Sequence, residues 1–234
     1  MSTTGVEVYG TDYFTEPDGD PDTVANLGPL APLAGSWLGE AGVDDHPVAV
    51  GTEQDAYIEH YDLEPIDRQT NGPQLLYGLR YHTHIVKPGE VETFHDQVGY
   101  WLWEPATRTI THTLAIPRAQ VLLASGTADP DATEFEITAA AGTEGFGILS
   151  SPFLEHAFRT TSFRMHVTVN PDASWSYEQE TVLEIPDRPE PFRHVDRNTL
   201  VRIGPPLPNP MARTEADPAS LGIGDLRHES GNLL

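Results

Sequence analysis

Ten histidines and no cysteine set the chemistry that this 234-residue chain can offer. An imidazole can ligate a metal, carry a proton or donate a hydrogen bond, whereas disulfides, thiolate metal sites and Cys nucleophiles are excluded together. His82 and His84 form His-x-His in a segment of period two, so both rings leave one face at a spacing that suits two ligands of one ion, with Glu90 past the next turn. The same spacing suits two exposed imidazoles on a polar face shared with Arg80. His95 shares a face with Gln97, Gly99 and Trp101; it could reach into a pocket or satisfy a polar neighbour in the wall. His112 falls among Ile110, Leu114 and Ile116, where a buried core imidazole is expected. His194 lies in Phe192-Arg193-His194-Val195-Asp196. Pointing inward, it could hold a haem iron through one ring nitrogen; pointing outward, it is a surface residue beside Asp196. Gly-x-Ser-x-Gly, a phosphate loop and His-Glu-x-x-His are all absent.

The elements that must position these residues are short and alternate. Segments 53–61, 74–86, 91–103, 107–116, 119–127, 133–140, 158–170, 173–185 and 192–203 read as strands, separated by turn signals such as Asn71-Gly72, Lys87-Pro88-Gly89 and Asn170-Pro171-Asp172. A first strand is centred on Gly35-Ser36-Trp37-Leu38-Gly39, where the glycines permit a sharp bend and the indole supplies an apolar plug. Leu27, Leu30 and Leu33 recur every third residue among prolines, which predicts one short helical or 3₁₀ turn. About ten strands joined by tight turns pair as antiparallel neighbours. They either stack as two sheets or close into an all-β, up-and-down antiparallel barrel of the lipocalin and fatty-acid-binding type, with a short N-terminal helical lid and room for a ligand.

The organisation expected is an acidic, mobile N-terminal tail over 1–26, a barrel over 27–203 and a Pro-rich C-terminal tail over 204–234. The net charge of −23 comes from 36 acidic and 13 basic residues, a field that repels phosphate backbones and anionic lipid, so neither nucleic acid nor membrane is expected as a partner. No signal peptide or apolar run long enough to span a bilayer is present, and a cytoplasmic location is the expectation. Assembly as a homodimer is compatible with the sequence.

Gly35-Ser36-Trp37-Leu38-Gly39-Glu40-Ala41 resembles the Gly-x-Trp-x-Gly-x-Gly signature of the nitrobindins, with Ala41 in place of the last glycine. Supporting matches are the Leu30–Leu33 lead-in, the aromatic strand at 57–61, Pro73-x-Leu75-x-Tyr77, His95 to Tyr100, Gly126, Trp175 to Tyr177, and Leu200 with Arg202. The resemblance implies a barrel that carries ferric haem b on an axial His of the last strand, binds nitric oxide and isomerises peroxynitrite to nitrate. His194 would be that ligand, and His95 a second residue at the cofactor. In the family the axial His precedes the Leu of Leu-x-Arg by five residues; His194 precedes Leu200 by six, which puts Val195 at the family position unless a bulge near Arg193 restores the direction. Two functions therefore stand: a haem-binding barrel, and a haem-free carrier or sensor of a fatty acid or other apolar metabolite. The second would have tyrosines and tryptophans lining the pocket and Arg164 or Arg202 on the carboxylate. A metal-dependent enzyme built on His82 and His84 is a third.

Overall fold

Period-two alternation over nearly the whole middle of the chain can be satisfied only by strands with one dry face, and the computed structural model, which describes residues 9–207, shows how that face is closed off. The strands are β1 (Gly35–Pro47), β2 (Thr52–Pro65), β3 (Gln69–Asn71), β4 (Gln74–Val86), β5 (Thr93–Glu104), β6 (Thr109–Ile116), β7 (Gln120–Thr127), β8 (Glu134–Ala140), β9 (Ile148–Ser150), β10 (Arg159–Val169), β11 (Trp175–Glu184) and β12 (Phe192–Gly204). Ten of them form a closed antiparallel barrel in chain order, β2 pairing with β4 and β12 returning to β1, while β3 and β9 lie off the cylinder on β4 and β7. Closure leaves no long unpaired edge. The expected strands are recovered with small shifts at their ends, except that β2 runs on to Pro65.

One end of the barrel is solid. The 3₁₀ helix Gly28–Leu33 has three residues per turn, so Leu27, Leu30 and Leu33 project on one side, and all three are fully buried. They plug the barrel against Trp37, Trp101, Trp103 and Trp175, four indoles with 1% exposure or less. Each such ring removes roughly 150–250 Å² from water. Trp37 meets Trp175 edge-on at 6.2 Å, and its Nε1 donates to the Leu33 carbonyl at 2.7 Å, tying the plug to β1. The helical turn is thus a stopper at the packed end and not a lid over the cavity.

The acidic leader follows the barrel over its described part. Tyr9 Oη donates to Glu104 Oε1 at 2.6 Å, Thr23 Oγ1 to the Ile66 carbonyl at 2.7 Å, and Thr70 Oγ1 to Glu16 Oε2 at 2.7 Å. Residues 1–8 and 208–234, the outer parts of both expected tails, lie outside the described residues.

At the opposite end the wall thins between β7 and β8. Only Ser125 and Thr138 pair there, and the first half of β7 pairs with β9 instead. A short helix, α1 (Pro152–Ala157), follows β9 and leans on β10; Ser151 caps it and Pro152 opens its first turn.

Candidate ligand cavity

Strand β1 carries the feature that builds the site. Its inward residues run Gly35, Trp37, Gly39 and then, after the exposed pair Glu40-Ala41, continue as Gly42, Asp44 and His46. This is a bulge, seen as a register shift between Leu38 and Val43 against β12 and between Gly39 and Gly42 against β2. One extra residue reverses which side chains face inward beyond it, and so brings Asp44 and His46 indoors. Glycine is required on both sides of the bulge by close approach: a Cβ on Gly39 would lie 2.3 Å from Asn198 Nδ2, and one on Gly42 would lie 2.2 Å from the Tyr57 ring.

Strand β12 needs no such device. It pairs with β11 in unbroken register from Phe192 to Leu200, so His194, Asp196, Asn198 and Leu200 alternate onto the inner face. His194 therefore points inward without the bulge near Arg193 that the sequence comparison invoked. Val195 stands on the other face of the ladder.

These residues line an interior cavity of about 380 Å³ at the end away from the 3₁₀ plug. Its floor is a hydrogen-bonded group around the buried Glu59. That carboxylate accepts from Thr83 Oγ1 at 2.8 Å, Tyr177 Oη at 2.9 Å and Asn198 Nδ2 at 2.9 Å, and the Tyr57 hydroxyl lies 2.8 Å from that of Tyr177. Burial raises the Glu59 pKa, opposed by its three donors. On β6, β7 and β10 the lining is mainly apolar, with Leu114, Ile116, Leu122, Phe163 and Met165 around Gln120 and Thr160, and α1 adds Leu154 and Phe153 at the rim.

The other side is polar and crowded. His194 Nε2 is 2.6 Å from Asp44 Oδ1 and 3.7 Å from Asp196 Oδ2. Burial alone would lower the imidazole pKa, but the hydrogen bond to Asp44 and the charges of Asp196 and Asp44 outweigh it and raise the value. Asp196 is pushed up to about 7, first by burial and then by Asp44, with His194 opposing. His95 also faces this cavity, with Nε2 3.2 Å from Gln97 Oε1; burial lowers its pKa, opposed by that hydrogen bond. Arg118 stands at the rim, its guanidinium free of the ion pairs and side-chain hydrogen bonds found among the described residues, where only its carbonyl is used, by Ser151.

The family described as "THAP4-like, heme-binding beta-barrel domain" matches residues 26–202, three quarters of the chain. This chain is a nitrobindin-family barrel. Its fold is similar to that of Rv2717c from M. tuberculosis, whose crystal structure superposes with a TM-score of 0.56 at 19% identity, covering 79% of this chain and 99% of that one. No curated protein sequence matches it.

Within the nitrobindin frame, the expected site residues separate into three groups. His194 and His95 both reach the cavity. Gly35, Trp37 and Gly39 belong to the packed half and its junction with the bulge, and do not line the guest's space. His82 and His84 are on the outside, where His82 Nε2 meets Asp96 Oδ2 at 2.9 Å and His84 Nε2 meets Thr93 Oγ1 at 2.9 Å; both are surface imidazoles in local pairs. Arg164 is also outside, held by Glu136 and Glu178, and Arg202 stacks on Trp37 and donates to the carbonyls of Pro32 and Ala34. Neither can serve a carboxylate in the cavity; Arg118 can. Of the tyrosines and tryptophans expected at the pocket, the cavity takes Tyr57, Tyr61 and Tyr177, while the four tryptophans stay in the packed half.

The haem implied by the family fails a test of fit at His194. Nε2 is the ring nitrogen that stands clear of the side chain's own Cβ, and it is the one turned into Asp44 and Asp196. Coordination through Nδ1 would drive a macrocycle into the strand, and the two carboxylates occupy the ground that its apolar face needs.

Asp44, His46, Asp196, Glu59 and Arg118 are the site residues that the sequence reading missed. The first three carried a signal, Asp-x-His in the first strand facing His-x-Asp in the last.

Proposed function

We propose that this nitrobindin-like barrel is a haem-free carrier or sensor of a small amphipathic molecule, an apolar body with a carboxylate head. The peroxynitrite isomerisation associated with haem-loaded relatives is then not its activity. The observation that carries this reading is the division of the cavity: a mainly apolar stretch on β6, β7 and β10, a guanidinium at the rim that pairs with no carboxylate among the described residues, and the one axial candidate from the last strand engaged by two carboxylates. A volume of about 380 Å³ falls in the ~300–1,000 Å³ range of small-molecule sites. The apolar chain would lie against Ile116, Leu122 and Phe163, and Arg118 would take the head through paired N–H donors. The thin β7–β8 seam beside α1 supplies the way in.

Displacement of a fluorescent fatty-acid probe from the full-length chain tests the proposal. Arg118→Gln should weaken a medium-chain fatty acid about 10-fold or more, the value of one charge-assisted hydrogen bond of roughly 1.5–3 kcal/mol, and leave its methyl ester unaffected. Equal loss for acid and ester, or no displacement at all, would reject it. Haem is the competing guest, read by incubating the chain with hemin: a Soret shift that disappears in His194→Ala would restore the axial assignment and overturn ours.

A further inference from the structure

We infer that Asp44, His46, His194 and Asp196 form a site for one first-row divalent cation, of the zinc or manganese class, on the inner wall of the barrel. Antiparallel pairing sets Asp44 directly opposite Asp196, and His46 and His194 follow two residues along on the same inward face. Two carboxylates and two imidazoles thus share one patch of wall. One donor atom each from Asp44, His194 and Asp196 falls within 4.8 Å of the others, and Asp44 Oδ2 is 3.1 Å from His46 Nδ1.

Several features of this patch point to a cation. Like charges opposite one another on a sheet face repel, and here a carboxylate oxygen of each lies within 4.8 Å of one of the other inside a barrel, with Glu59 lining the same cavity. Of the basic side chains nearby, Lys87 is used by Asp55 and Arg197 by Asp45, and Arg118, which lines the same cavity, pairs with neither aspartate among the described residues. His46 Nδ1 is buried and has no hydrogen-bond partner, because its approach to Asp44 lies off the bonding direction. Buried polar atoms are almost always paired, and an ion between the two groups would engage this nitrogen. Mixed nitrogen and oxygen donors suit zinc, manganese or ferrous iron; calcium and magnesium prefer oxygen alone.

This inference goes beyond the carrier reading and stands on the polar wall alone, so the two can fail separately. Full-length chain stripped with EDTA and titrated calorimetrically with zinc or manganese chloride should bind one ion per chain and gain thermal stability. His194→Ala and Asp196→Asn should each weaken binding about 100-fold or more, and the milder His46→Gln about 10-fold. His82→Ala, on the outer surface, should change nothing. Circular dichroism of each variant shows whether it is folded; if the stronger variants are not, His46→Gln decides. Saturable binding that survives the wall variants, or none at millimolar metal, overturns the site, and in the second case the two aspartates simply share a proton.

Discussion

Replacing His112 by Phe should flatten the acid side of the stability profile. The imidazole is 1% exposed, stacked on Tyr81 at 5.1 Å and packed against Trp101 at 4.0 Å between ring centres. Its Nε2 lies 3.3 Å from the Tyr81 hydroxyl, which donates to the Thr113 carbonyl at 3.1 Å and accepts from Gln97 Nε2 at 2.8 Å. That network assigns the proton to His112 Nε2 and leaves Nδ1 buried with no partner. A second proton would therefore have nowhere to bond, and burial drives the pKa down to about 3. The unfolded chain titrates near 6.5, so below that pH it takes up a proton that the native state refuses. Stability is complete above about pH 6.5 and falls with pH until the folded value is reached. A gap of about 3.5 units at 1.36 kcal/mol each amounts to roughly 5 kcal/mol, with about 3 kcal/mol of it lost by pH 4.5. That is a large share of the ~5–15 kcal/mol that holds a typical domain together. Urea unfolding at pH 7, 5.5 and 4.5 for the wild type and His112→Phe gives the result as a difference of differences. The ring swap costs a constant amount, and groups far from the site cancel. Parallel pH profiles, within about 1 kcal/mol, would show that this ring is not the titrating group and refute the reasoning.

Gly42→Ala puts a methyl group into the Tyr57 ring and disturbs the hydroxyl pair above Glu59; the expected cost is about 1–3 kcal/mol, a fall of a few degrees in Tm by calorimetry. Trp37→Ala removes a plug residue that also anchors the Leu33 carbonyl and carries the Arg202 guanidinium. Urea titration should show a loss of about 3–5 kcal/mol, and Trp37→Phe should recover more than half of it.

Much of the barrel was legible because one buried face imposes strict alternation. From Gln74 to Val86 the sequence period and the observed strand coincide. What escaped was local. β2 continues past residue 61 to Pro65 because Leu63 and Pro65 keep the inward rhythm between the outward Asp62 and Glu64. Helix α1 has six residues, too few to display a period, and only Ser151 and Pro152 announce it. The site was half legible. His194 and Leu200 are six apart and share a face by parity. Counting by twos from Trp37, however, predicts Val43 and Asp45 inside, and the bulge inverts that count before Asp44 and His46. Arg118 escaped for another reason: it sits in a turn, where no periodicity assigns a direction.

The extra residue in β1 behaves like a frameshift written in space. Ironing the bulge flat at constant length would turn Val43, Asp45 and Pro47 toward the guest and send Asp44 and His46 out to water, whereas deleting Glu40 or Ala41 would set Gly39 and Gly42 two apart and keep both inside. A lineage could re-line half of this chamber by a slip in register alone, with the tryptophan-packed end holding the cylinder together while its contents were exchanged.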